Sequence, residues 1–258
     1  MAQRAAAVAG ALLLERFGGP ARGVTRKSSR TDLVSDADRD AEAAIEEILS
    51  SERPEDGLLA EEGSGRHGVS GRRWVVDPLD GTTNFLYGIP AWCVSIALED
   101  ADGGALGVVL DPVRRETFAA LRGRGATRNG EPIRVSGEER LATALVGTGF
   151  SYEAAERSAQ AAVLAGVLPR VRDVRRAGAA ALDLSWVAAG RLDAYYERGL
   201  KHWDWAAASL IVSEAGGELR WLEGEPRGLV AGTPGVVEAL HTLANGGDDF
   251  DASPGSKD

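Results

Sequence analysis

Residues Asp77-Pro78-Leu79-Asp80-Gly81-Thr82-Thr83-Asn84-Phe85 follow the apolar run Trp74-Val75-Val76. Two carboxylates three positions apart therefore stand at the mouth of a strand, with Gly-Thr-Thr behind them opening a short helix. The first backbone N–H groups of a helix lack intrahelical partners and sit at the positive end of its dipole, so they suit an anion such as phosphate. Carboxylates beside that anion would repel it unless a cation lies between them. Mg²⁺ removes the conflict, because it takes oxygen ligands and coordinates substrate phosphate as well. The carbonyl oxygen of Leu79, between the two acids, is a further donor of the right kind.

Acids recur at three other places. Glu61-Glu62 closes the apolar run 57–60, and adjacent strand residues face opposite ways, so one of the pair can share a site with Asp77. Asp204, between Trp203 and Trp205, opens an apolar helix, where an acid can equally serve as a cap. Asp32, Asp36 and Asp38 lie in a polar loop, and Asp36 or Asp38 can cap the helix that follows. Singly, each is a turn, a strand end or a cap. Together, and with one of them adjoining an anion cradle, they point to a polynuclear metal site and metal-assisted phosphoryl hydrolysis.

The elements that must position these acids alternate along the chain. Helices are expected at 2–18, ended by Gly18-Gly19-Pro20, and at 37–51, with Ala41, Ala44, Ile45 and Ile48 on one face. Strands follow at 57–60, 73–77, 92–98, 105–111 and 116–121. The second half predicts strands at 144–149, 171–174 and 191–197, and helices at 151–168, 178–189, 203–217 and 234–245. The fold class is mixed α/β with layered sheets and helices. One domain over 1–245 is expected, with sub-lobes of about 1–140 and 141–245, and the polar acidic tail 246–258 is expected to be disordered.

Composition narrows the function. The chain has 258 residues, 44% of them hydrophobic, enough for a substantial core. A net charge of -10, from 39 acidic and 29 basic residues, lacks the basic footprint of a nucleic-acid binder. The lone cysteine, Cys93, lies in an apolar run and cannot form an internal disulfide, which favours a reducing, intracellular compartment. The run Ala5–Leu14 has signal-peptide composition, yet Glu15 and Arg16 follow at once and the run reads as an ordinary helix. No stretch approaches the ~20 apolar residues needed to span a bilayer.

Three segments together resemble the inositol monophosphatase family of magnesium-dependent, lithium-sensitive phosphatases: LLAEEGS (58–64), WVVDPLDGTTNF (74–85) and WDWAAASLIVSEAGG (203–217). The resemblance runs from about Lys27 to the last helix and implies the layered αβαβα sandwich of the sugar phosphatases. It implies that Glu61, Asp77, Asp80 and Asp204 bind two or three Mg²⁺ ions through side chains and Leu79 through its carbonyl. Thr82 and Asp38 would be the dyad that helps activate the attacking water, with Glu61 assisting. Leu79 to Thr82, with Asp80 and Gly81, would contact phosphate. Gly178, Ala179, Ala180, Glu197 and Asp204 would contact the polyol, and Lys27 matches a basic position near the metals. A cytoplasmic homodimer acting on a small phosphorylated polyol or sugar, without nucleic-acid or membrane partners, is expected.

Departures bear on the alcohol. Ala60 replaces a usual glycine, and Ala179 stands where some members have Thr or Ser. Arg175-Arg176 resembles the bacterial branch and fits a structural or a substrate role equally. Inositol 1-phosphate is the expected substrate, by in-line attack of a metal-activated water. Histidinol phosphate and fructose 1,6-bisphosphate are the alternatives. A binding or regulatory protein that keeps the fold without turnover is the reading from another class.

Overall fold

The computed structural model describes residues 1–20, 22–26 and 33–246. Lys27, Asp32 and the tail beyond Gly246 lie outside the described residues. The first half contains α1 (Ala2–Arg16), β1 (Thr25–Arg26), β2 (Leu33–Val34), α2 (Asp36–Glu52), β3 (Gly57–Ala60) and β4 (Gly65–Arg66). β5 (Arg73–Asp80), α3 (Thr82–Leu86), β6 (Cys93–Asp100), β7 (Gly103–Asp111), β8 (Glu116–Leu121), β9 (Ala126–Arg128) and β10 (Glu131–Pro132) complete it. The second half contains β11 (Leu145–Thr148), α4 (Ala154–Val167), β12 (Asp173–Arg175), α5 (Ala180–Ala188) and β13 (Ala194–Arg198). It ends with α6 (His202–Glu214), β14 (Glu218–Leu222), β15 (Gly228–Gly232) and α7 (Pro234–Ala244).

Strands β3 to β10 form one sheet in the order β10-β9-β8-β7-β6-β5-β3-β4, and the second runs β12-β11-β13-β15-β14. Strand alternation divides the core into three layers. On β5 and β6, Trp74, Val76, Val94 and Ile96 pack outward against α1 and α2, where Ala41, Ile45 and Leu49 are buried. Val75, Cys93 and Ala97 turn inward to α5 and α6, which lie between the sheets. On the second sheet Tyr195, Leu229 and Ala231 face that same central layer, while Ala194, Tyr196 and Val230 face α7 on the far side. The result is the αβαβα sandwich.

Two differences from the sequence expectation have clear causes. The hairpin β14–β15 was not expected, because Gly, Glu and Arg interrupt its apolar pattern; β14 is a sheet edge, and most of its side chains are exposed. Strand β5 does not stop at Asp77 but continues to Asp80. Its register on β6 pairs Asp77 with Ser95 and Asp80 with Cys93, so β5 uses three steps where β6 uses two. That is a β-bulge, placed at Pro78-Leu79.

Candidate metal centre and active site

The bulge determines what the two aspartates can do. In a regular strand, residues three apart point to opposite faces. The extra residue restores the phase, so Asp77 and Asp80 open on one cleft while Leu79 is buried in the outer core. Asp77 Oδ1 accepts the Leu79 N–H at 3.0 Å and fixes the turn. Gly81 follows at φ +93°, and a Cβ there would stand 3.0 Å from the Ala91 carbonyl and 3.2 Å from the Ala179 methyl. Only glycine fits, and it starts α3 with Thr82.

Glu61 reaches the cleft through the parallel pairing of β3 with β5, which sets Ala60 beside Val76 and lets the Glu61 N–H bond the Val76 carbonyl at 3.2 Å. The next N–H groups are held from below, since buried Glu42 accepts from Glu62 at 2.7 Å and from Ser64 at 2.9 Å. Asp204 arrives on the first turn of α6, where its Oδ2 accepts the Lys201 N–H at 2.6 Å. It is thus a helix-terminus acceptor and a cleft residue at once. Asp80 Oδ2 accepts the Ala181 N–H at 2.7 Å and lies 3.6 Å from the Cys93 thiol.

Glu61, Asp77, Asp80 and Asp204 line one cleft with Leu79, Gly81 and Thr82. Asp77 is 2% exposed, and burial pushes its carboxyl well above the usual range, followed by the charges of Glu61, Asp80 and Asp204. Burial also raises Asp204, again with Asp80 and Glu61 adding to it. Asp80 is pushed up to about 6 by burial, with the Ala181 N–H pulling the other way. Among the described residues, no three acids are closed into a finished ligand set. The donor chemistry still fits hard divalent cations: oxygen atoms only, in a pocket whose buried negative charges oppose one another. Larger cavities, of about 490 Å³ beside α1 and about 540 Å³ under α4, do not contain this cluster.

The Thr82–Asp38 pair is assembled from distant parts of the chain. Asp38 is 0% exposed and accepts from Thr82 Oγ1 at 2.9 Å. Its other oxygen accepts from the Ser35 hydroxyl at 2.6 Å and the Ser35 N–H at 2.9 Å. Ser35, not Asp36 or Asp38, is the N-cap of α2, and Asp38 closes the capping box from the third helical position. Asp36 is on the surface, paired with Arg39.

Of the expected polyol contacts, Gly178, Ala180 and Glu197 line the cleft, whereas Ala179 is buried beneath Gly81. Glu197 accepts from the Tyr195 hydroxyl, and burial pushes it up to about 7 against the pull of Tyr195 and Arg176. Sequence reasoning missed Asp183, Phe150, Tyr152, Tyr195 and Leu200 in the lining. Asp183 had a signal, a lone acid inside the apolar helix AALDLSWVA. It is buried with Oδ1 unpartnered among the described residues, and burial raises its pKa well above the usual value.

The raised pKa of Glu197 has a consequence for stability. A folded-state value above the unfolded one favours the protonated form, so this contribution is complete below about pH 4.5 and is lost as pH rises through about 7. Glu197→Gln should therefore raise the metal-free melting temperature by a few degrees at pH 8, as roughly 1 kcal/mol does for a domain of this size, and by little at pH 4.5. Equal shifts at both pH values would contradict the buried-charge account.

A layered sandwich with buried carboxylates at the strand ends beside a Gly-Thr-Thr helix start defines a metal-dependent phosphatase. The chain belongs to the inositol monophosphatase family, whose model matches residues 1–247. Inositol-1-monophosphatase SuhB of Mycobacterium tuberculosis is 44% identical over 242 residues, covering 88% of this chain and 83% of that protein. Nus factor SuhB of Pseudomonas aeruginosa is 43% identical over 261 residues, with 94% and 93% covered. The crystal structure of extragenic suppressor protein suhB from Bartonella henselae superposes with a TM-score of 0.88 at 40% identity, covering 94% of this chain and 96% of that one. As a family member the protein is a metal-dependent hydrolase of phosphate monoesters. No helix among the described residues is long and apolar enough to cross a membrane.

Proposed function

We propose that the protein hydrolyses inositol 1-phosphate by direct in-line attack of water on phosphorus. The observation that carries this reading is the Thr82–Asp38 hydrogen bond beside the four-acid cluster. Thr82 Oγ1 has one proton and two acceptors in reach, the Asp38 carboxylate at 2.9 Å and the Leu79 carbonyl at 3.1 Å; the proton goes to the shorter, charge-assisted contact with Asp38. Ser35 holds the far side of that carboxylate and keeps it from turning away. The lone pairs of Oγ1 are then free to take a proton from a water in the cleft, while Asp38 receives the one Oγ1 gives up. Glu61 is the second acceptor for the water's proton. The N–H groups that begin α3 orient the phosphoryl oxygens.

Glu61, Asp77, Asp80, Asp204 and the Leu79 carbonyl would hold two or three Mg²⁺ ions, which supply Lewis acidity to the water and neutralise the phosphoryl oxygens. Gly178, Ala180 and Glu197 face the leaving alcohol. The name of the M. tuberculosis relative supports inositol 1-phosphate over histidinol phosphate and fructose 1,6-bisphosphate. Lithium inhibition, a homodimer, a cytoplasmic location and no nucleic-acid partner complete the reading, as the family resemblance and the charge imply.

The test is phosphate release with Mg²⁺ from these three substrates. The expected result is the highest kcat/KM on inositol 1-phosphate. Release from none of them would restore the binding-protein alternative.

A further inference from the structure

The two adjacent arginines are used differently. Arg175 closes on Asp173 at 2.6 Å and on the carbonyl of Val174, within its own strand. Arg176 is exposed and lines the metal cleft, and among the described residues it makes no ion pair. Its guanidinium lies over the α-carbon of Gly178, where a Cβ would be 2.2 Å from Nη1. Gly178 has φ +94°, so the turn that presents Arg176 favours glycine by its backbone. Asn84 of α3 anchors this turn, donating to the Ala177 carbonyl at 2.8 Å and the Ala91 carbonyl at 2.6 Å. The backbone that carries Arg176 is therefore tied to the helix that starts at Thr82.

Glu197 lines the same cleft. Its carboxylate occupies the space where a Cβ of Gly149 would stand. Arg176, Glu197 and Asp183 line this one cleft, with no ion pair between them among the described residues. A guanidinium only donates hydrogen bonds and an ionised carboxylate only accepts them. A group bound by both must offer an acceptor to one and a donor to the other.

We propose that Arg176 is a specificity-determining residue that, with Glu197, reads adjacent hydroxyl groups on the leaving alcohol; this rests on the phosphatase reading above. Neutral hydroxyls satisfy both side chains, since each donates and accepts. A second phosphate would suit Arg176 but offers Glu197 no hydrogen to accept. A cationic amine would suit Glu197 but offers Arg176 no acceptor. The pair thus selects a neutral polyol over a bisphosphate or an amino alcohol. Such selection by opposite hydrogen-bonding needs rejects competitors as well as binding the partner.

The experiment compares kcat/KM with Mg²⁺ for inositol 1-phosphate and for p-nitrophenyl phosphate, whose leaving group has no neighbouring hydroxyl. In Arg176→Ala the ratio of the two should fall about tenfold, the scale of one lost hydrogen bond to a charged group, mainly through KM for inositol 1-phosphate. Arg176→Lys should recover part of it, and Arg175→Ala should leave the ratio unchanged. An unchanged ratio in Arg176→Ala, including an equal fall on both substrates, would overturn the proposal while leaving the phosphatase reading intact. A wild-type protein that hydrolyses neither compound would overturn both.

Discussion

Asp77→Asn should lower Mg²⁺-dependent turnover by ~10³-fold or more, the scale of losing several kcal/mol of charge stabilisation, and should raise the melting temperature of the metal-free protein. Both effects have one cause. Asp77 is 2% exposed and lies against Glu61, Asp80 and Asp204 in a pocket with little water to screen them. Without a cation, folding must confine these charges together, and each raises the cost of the others. Asparagine keeps the shape of the side chain and can still accept the Leu79 N–H, but it removes one charge. The metal-free fold is relieved, and on the proposed metal-binding reading the site loses an anionic oxygen that a neutral amide does not replace. Thermal melts in EDTA and with increasing Mg²⁺ separate the two effects. Mg²⁺ should stabilise the wild type by mass action, and the increment should shrink in the variant. A metal-free melting temperature lower than wild type would refute the repulsion argument, and undiminished turnover would refute the site.

The acid residues were legible because their chemistry is unusual where they stand, and the family motifs extend over all four. The geometry that joins them was much less so. Asp77 and Asp80, read as strand end and helix start, share a cleft only because Pro78-Leu79 form a bulge, and a bulge depends on the partner strand at Ser95 and Cys93. Asp38 was expected to pair with Thr82 from resemblance alone. Its second role, closing back on Ser35, follows from the position of α2, and no local signal separates it from the surface acid Asp36. Asp183 and Arg176 carried signals, a lone acid in an apolar helix and an arginine pair open to two roles, but nothing local placed them in the site. The sheet-to-sheet packing alone brings both to the cleft. The missed hairpin β14–β15 shows the limit of periodicity at an edge, where one face has nothing to cover.

Thr82→Ala should lower kcat by roughly 10²–10⁴-fold with little change in KM, the range that a positioned proton acceptor contributes. Thr82→Ser should recover much of the loss, because serine keeps the hydroxyl and only its rotamer is less restricted. That rescue separates a proton-transfer role from packing of the threonine methyl. Asp38→Asn should fall as far by another route. Asp38 accepts three hydrogen bonds, two from Ser35 and one from Thr82, and an amide turns one of its oxygens into a donor. If the NH₂ faces Thr82, the Thr82 proton loses the carboxylate and is left with the Leu79 carbonyl at 3.1 Å, which cannot take it up; if it faces Ser35, the capping box opposes it and α2 loses stability. Kinetics and melting temperature together report which orientation the side chain takes. Because the two residues act on one proton, the double variant Thr82→Ala/Asp38→Asn should be little worse than either single one. Multiplicative losses would mean that Asp38 and Thr82 work independently, and the dyad would have to be abandoned.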